Sequence, residues 1–253
     1  MISKYIYILV LLIANNFVLG QNYIVTYSHK INFDNVDFKE IKAKFYDFYM
    51  NKDQSLYIEN KELKDNDVNK NIPGEINLTK ERNNSQKIFY LTKNNGDFYM
   101  NRYIGNVDNY VVKDVFKHNW KIENEFKIIL NLNCQKATTN FRGRNYTAWF
   151  SNDIKSSFGP WKMNGLPGLI LEVYDDQNFF RIDAIDIAKE SLDINDLIRD
   201  YDLSNIITIE EYNLKSEEYS QKMLEKVRQI NPKFKMDEKC ESCNKSLEIF
   251  KDE

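Results

Sequence analysis

The chain has 253 residues and nearly balanced charge, Lys+Arg 35 against Asp+Glu 38, for a net −3. It is long enough to bury one sizeable core without staples, and its charge balance argues against a nucleic-acid partner, which needs a basic excess or stripe. Two His with no metal-ligand spacing around either leave little material for a zinc enzyme, so no metal site and no cofactor are expected.

In chain order, residues 1–20 begin with Lys4, continue through an apolar stretch from Tyr5 to Leu19 and end at Gly20. That tripartite pattern predicts a secretory signal peptide cut after Gly20, with the mature chain not spanning a membrane and residing in the periplasm or at the periplasmic face of the outer membrane. From Tyr23 to Phe33 the residues alternate as in a half-buried strand. Phe38, Ile41, Phe45 and Phe48 recur at three- to four-residue spacing, which predicts a short amphipathic helix near 38–50. The stretch from Lys64 to Asn84 is polar, rich in Asn, Asp and Lys, and reads as a long mobile loop.

Short strand-like runs follow at Lys87 to Thr92, Asp97 to Tyr103, Tyr110 to Val115, Trp120 to Asn124, Phe126 to Leu132 and Cys134 to Phe141. Arg142-Gly143 predicts a hairpin turn into a strand from Arg144 to Phe150, and Leu169 to Tyr174 with Phe179 to Ile187 predicts a second hairpin. Thr208 and Glu211 have capping-box spacing and open a predicted helix over 208–230. Residues 21–231 are therefore expected to form a single mainly β domain, and 232–253 a polar tail. The expected architecture is one curved antiparallel meander, half-barrel or bowl-like, with two peripheral helices; the alternative is a two-sheet sandwich.

Between the two hairpins, Gly159, Gly165, Gly168, Pro160 and Pro167 crowd into ten residues of a chain that has only Gly 8 and Pro 4. Such residues prescribe the backbone, so a shaped loop is expected to feed the strand at Leu169. Cys134-Gln-Lys-Ala137, Arg142-Gly-Arg144, Ala148-Trp-Phe150, Gly159-Pro-Trp161 and the unbroken Gly165-Leu-Pro-Gly-Leu-Ile170 resemble, in that order, the motifs of the GLPGLI family. The looser Ser55-Leu-Tyr57 and Trp120-Lys-Ile122 extend the likeness. The resemblance implies an envelope protein of Gram-negative bacteria without an assigned activity.

Two readings of the loop stand side by side. It is a binding lip carrying Phe158, Pro160, Trp161, Gly165, Leu166, Pro167 and Gly168, or it turns a corner while Trp161, Leu166 and Ile170 fill the core. Arg142 and Arg144 flank the predicted turn, either as an anion-binding fork or as solvated surface, and Trp149 adds an aromatic on the opposite face of its strand. Cys134 reads as a small core residue, and Cys240 and Cys243 are expected to be a local disulfide or a free pair without catalytic importance, the alternative being metal binding. Asp153, Asp175 and Asp176 are the carboxylates nearest the loop, but an acid–base pair needs a defined separation that spacing does not supply. No nucleophile, acid–base or phosphate-loop pattern stands out. The expected function is a non-enzymatic accessory protein binding an envelope protein or outer-membrane component; the alternative is a hydrolase acting on peptide or glycan.

Overall fold

A computed structural model describes residues 23–33, 36–63, 88–105, 108–190, 193–199, 201, 203, 205–232 and 248. The expected signal peptide, the loop from Lys64 to Asn84 and the Cys240–Cys243 pair lie outside the described residues. The first strands are β1 (Tyr23–Ile31), β2 (Lys44–Met50), β3 (Gln54–Asn60), β4 (Phe89–Lys93), β5 (Phe98–Ile104) and β6 (Asp108–Asp114). Next come β7 (Lys121–Ile129), β8 (Leu132–Phe141), β9 (Arg144–Ser151), β10 (Leu169–Asp175) and β11 (Phe180–Lys189). The chain then runs through helix α1 (Ile194–Ile198), strand β12 (Ile206–Thr208) and helix α2 (Ile209–Ile230).

All twelve strands form one sheet in the order β12-β6-β5-β4-β3-β2-β1-β11-β10-β9-β8-β7. Every pairing is antiparallel except that of β12 with β6. The mainly β meander expected from the sequence is thus the observed fold.

The predicted helix near 38–50 is a misreading. Residues 38–40 form a turn, and from Lys44 onward the buried positions Tyr46, Phe48 and Met50 follow a period of two, not 3.6. Pairing with β1 on one side and β3 on the other takes up the backbone groups that a helix would have bonded internally. The predicted helix at 208–230 forms: the Glu211 N–H donates to Thr208 Oγ1 at 3.2 Å and the Thr208 N–H to Glu211 Oε2 at 2.9 Å. Its first half meets the sheet, with the Tyr212 hydroxyl donating to the Tyr103 carbonyl and the Tyr219 ring lying against Gly105.

Connectivity curls the sheet. β6 and β7 are ten strand steps apart, about 48 Å on a flat sheet at ~4.8 Å per step. The segment joining Asp114 to Lys121 spans at most about 25 Å, so the two ends must approach. They do so on one face, where Phe116 touches Phe98 of β5 at 5.2 Å and Phe141 of β8 at 5.3 Å between ring centroids. That concave face carries the main core, including Tyr27, Phe48, Tyr57, Tyr146, Phe150 and Phe180. A smaller cluster on the other face, built from Leu56, Ile58, Phe89, Leu91 and Val111, is covered by Ile194 of α1.

Candidate functional site

The run from Asn152 to Gly168 leaves β9, folds into the concavity and returns as β10. Ile154, Phe158, Trp161, Met163 and Leu166 are all buried in the main core, and Trp161 packs tilted against Phe180 with ring centroids 5.0 Å apart. Backbone bonds hold the shape: the Gly165 N–H donates to the Ser157 carbonyl at 2.7 Å and the Leu169 N–H to the Ile154 carbonyl at 2.9 Å. At Gly168 a Cβ would sit 2.1 Å from the Ser151 carbonyl oxygen, so the approach of loop to strand demands glycine. Of the two readings of this loop, the core-filling one describes Trp161, Leu166 and Ile170. Pro160 and Gly168 are buried with them, and of the residues named for a binding lip Gly165 and Pro167 alone are exposed. Trp149 is buried as well and counts with the main core, with the Lys127 ammonium 4.3 Å from its ring.

Part of the loop still borders open space. A cleft of about 480 Å³ is lined by Tyr23 from β1, by Met50, Asn51 and Lys52 after β2, and by Lys155, Ser156, Ser157, Phe158, Leu166 and Pro167. The lining pairs an aromatic ring and apolar walls with hydroxyl, amide and ammonium groups, a mixture suited to a polar ligand with a flat apolar side. It contains two lysines and no carboxylate among the described residues.

The arginines of the hairpin are not solvated surface. Arg142 and Gly143 make the two-residue turn at φ 45° and 76°, which is the twist that joins β8 to β9. The Arg142 guanidinium then reaches across the concavity and bonds Asp114 through both oxygens, at 2.9 and 2.7 Å. Arg144 is 4% exposed and donates to Asp175 Oδ2 and Gln177 Oε1, each at 3.0 Å. Asp175 also accepts the N–H groups of Phe179 and Phe180, so it organises the β10–β11 turn instead of serving as a free acid. Asp176 accepts from Asn145 and Asp153 from the Asn133 N–H, so the three carboxylates named from the sequence do not converge.

Around Asp114 the structure assembles groups the sequence did not single out. Lys162, 0% exposed, donates to Asp114 Oδ2 at 2.7 Å and to both oxygens of Glu248 at 2.6 and 2.7 Å. Arg142 Nη1 donates to Glu248 Oε1 at 2.5 Å, and Arg102 Nη2 stands 4.0 Å from Glu248 Oε2. Burial pushes the Asp114 carboxyl up, but the Arg142 hydrogen bonds and the Lys162 charge outweigh that and hold it below the usual range. Burial pulls Lys162 below an ordinary lysine against the opposing pull of Glu248 and Asp114. The one local signal was a lone lysine between Trp161 and Met163, inside an otherwise apolar run. Nothing in the local sequence around Glu248 pointed to it.

His118 Nε2 donates to the Lys162 carbonyl at 2.8 Å, and burial lowers the pKa of its ring. Cys134 is buried, and burial pushes its thiol up to about 11, the condition of an inert core thiol. Among the described residues no group of three or more His, Cys, Asp or Glu converges as metal ligands, and no helix is long and apolar enough to cross a membrane.

The family described as N-glycanase peptide, N-terminal domain, matches residues 25–206. No curated protein matches the chain. Two solved structures of PNGF-II are similar in fold. The form in space group C2 shows a TM-score of 0.51 and 19% identity over 79% of this chain and 32% of that one. The form in space group P21 shows 0.51 and 18% over 79% of this chain and 34% of that one. The chain thus spans about a third of the length of these neighbours. This match corrects the GLPGLI assignment. The hexapeptide from Gly165 to Ile170 is a tight corner entering a buried strand, a turn chemistry that says little about ancestry, whereas the family match draws on the whole sheet from β1 to the start of β12.

Proposed function

The chain belongs to the N-glycanase peptide, N-terminal domain family, and from that premise we propose that it serves in the hydrolytic processing of N-glycosylated proteins, holding the glycan-bearing substrate. The observation that carries this reading is the family match over residues 25–206. The cleft beside Tyr23 supports it: Asn51, Ser156 and Ser157 offer partners for sugar hydroxyls, Lys52 and Lys155 offer charge, and Tyr23 and Pro167 offer flat apolar surface. Because the described residues that line the cleft include no carboxylate, we assign it substrate holding, with bond cleavage carried out by a hydrolase that acts with it. The N-terminal basic and apolar run favours secretion, so the substrates would be met in the periplasm or at the outer membrane.

The test is binding of a fluorescent N-glycopeptide and of its deglycosylated twin to the full chain. A preference for the glycosylated form, weakened about tenfold or more in a Tyr23→Ala, Lys52→Ala, Lys155→Ala variant that still folds, is the expected result (~1.4 kcal/mol). Equal binding of both peptides overturns the glycan reading. Release of free glycan by the purified chain assigns the hydrolysis to this chain and overturns the division of labour.

A further inference from the structure

Among the described residues, the charges gathered at the rim of the concavity are unequal in number. Lys162, Arg142 and Arg102 face Asp114 and Glu248, three cations to two carboxylates. Arg102 Nε is also buried without a hydrogen-bond partner. A buried ion cluster costs desolvation that its attractions only roughly offset, so stability alone is a weak reason to gather these groups. The way they are held is informative. The Arg142–Asp114 pair is bidentate, with the Asp114 side chain fully inside and Arg142 largely so. Glu248 is added to it from 86 residues beyond Lys162, and the bonds from Lys162 and Arg142 fall on its two carboxylate oxygens, a pattern any carboxylate presents. Beneath Lys162 the rings of Phe98, Phe116 and Trp161 lie 5.6 to 6.0 Å from the ammonium, a dry floor that strengthens charge pairing.

We propose that Lys162, Arg142 and Arg102 form a carboxylate-binding socket that Glu248 occupies in cis, so that the Glu248 side chain and an external carboxylate ligand compete for the same three cations. With Glu248 in place, the described groups of the cluster carry one more cation than carboxylate. With its carboxylate removed the excess is two, and a position with donors already at bonding distance is left without its anion. The socket shares no residue with the cleft beside Tyr23. Its ligand class is a compact carboxylate, either the acid group of an acidic sugar or that of a peptide side chain.

Glu248→Ala and Glu248→Gln in the full-length chain test this, with sodium acetate as the probe and sodium chloride at equal ionic strength as the control. Acetate is expected to raise the melting temperature of both variants, and chloride and wild-type protein to show no such rise. In titration calorimetry Glu248→Ala should bind acetate about tenfold or more tightly than wild type. Adding Arg102→Gln to Glu248→Ala should weaken that binding. D-glucuronate and N-acetylglutamate then separate the two sources: the one that stabilises more identifies the ligand class, and equal effects leave the carboxylate as the sole determinant. Should Glu248→Ala fail to fold, recovery of native near-ultraviolet circular dichroism in acetate but not chloride supports the socket. Acetate that behaves like chloride in both variants overturns it.

Discussion

Asp114, the last residue of β6, and Arg142, the turn residue between β8 and β9, share two hydrogen bonds of 2.9 and 2.7 Å across the mouth of a curled sheet. Strand order places them near opposite ends of twelve strands, so the pair fastens the bowl at the point where its two ends meet. Asp114 has a fully buried side chain, and Arg142 retains 15% exposure. Removing Asp114 takes one of two carboxylates away from both Arg142 and Lys162 inside the fold, a loss of about 3–5 kcal/mol. Asp114→Ala should therefore lower the unfolding free energy measured by urea titration by that amount. Arg142→Lys should also lose stability, because an ammonium cannot reproduce the planar two-point contact. An unfolding free energy within about 0.5 kcal/mol of wild type for both would show that curvature does not depend on this fastening.

Replacing Gly168 with Ala should be far more costly than its one added methyl group suggests. The new Cβ would lie 2.1 Å from the Ser151 carbonyl oxygen and 2.9 Å from the Asn152 nitrogen, both backbone atoms that cannot swing away. A loss of about 3 kcal/mol or more is expected, at or beyond the upper end of ordinary overpacking. Gly96→Ala serves as the comparison: nothing lies within 4 Å, and only the strain of φ +87° acts, at about 1–2 kcal/mol. Chemical denaturation of the two variants side by side gives the order.

Trp161 was a candidate for touching a partner, but its ring is 1% exposed and its backbone sits at φ 52°, a left-handed conformation held by the packing around it. Trp161→Ala should cost about 3–5 kcal/mol through the cavity it opens. Trp161→Phe should cost less, since the indole N–H is buried without a partner and its loss is no penalty. Lys155→Ala, on the exposed side of the same loop, should stay within about 0.5 kcal/mol of wild type. Thermal melts of the three variants should rank them in that order.

His29 predicts a pH dependence. It is buried against Tyr46 and Phe180 with neither ring nitrogen hydrogen-bonded, and burial together with the Lys44 charge lowers its pKa to about 3. The unfolded chain takes up a proton on this ring near pH 6.5, whereas the folded protein refuses it until about pH 3. Stability is thus fully present above about pH 6.5 and falls as pH drops through the window down to 3, at up to ~1.4 kcal/mol per pH unit. His118, lowered in the same direction by burial, adds to the slope. His29→Phe should flatten the decline between pH 6.5 and 4.5 and leave the remainder due to His118. An unchanged slope in urea titrations across that range would mean the ring is protonated in the fold.

Local chemistry in the sequence settled a good deal. Alternation marked β1 and the β10–β11 hairpin, Arg142-Gly143 marked a two-residue turn, and Thr208 with Glu211 marked the start of α2, because each depends on residues within a few positions of one another. The same local rules misread β2, where Phe38, Ile41, Phe45 and Phe48 mimic a helical period while pairing with β1 and β3 imposes a period of two. The closing relationships lay beyond any window of sequence. That β1 pairs with β11, that β12 joins β6 in parallel, that the Gly-Pro loop fills the concavity, and that Asp114, Arg142, Lys162 and Glu248 meet at its rim are outcomes of curling a sheet whose ends are joined by a short segment. Turn and strand signals are properties of neighbouring residues, whereas a buried ion cluster drawn from four distant segments is created only when the whole sheet closes and water is removed from around them.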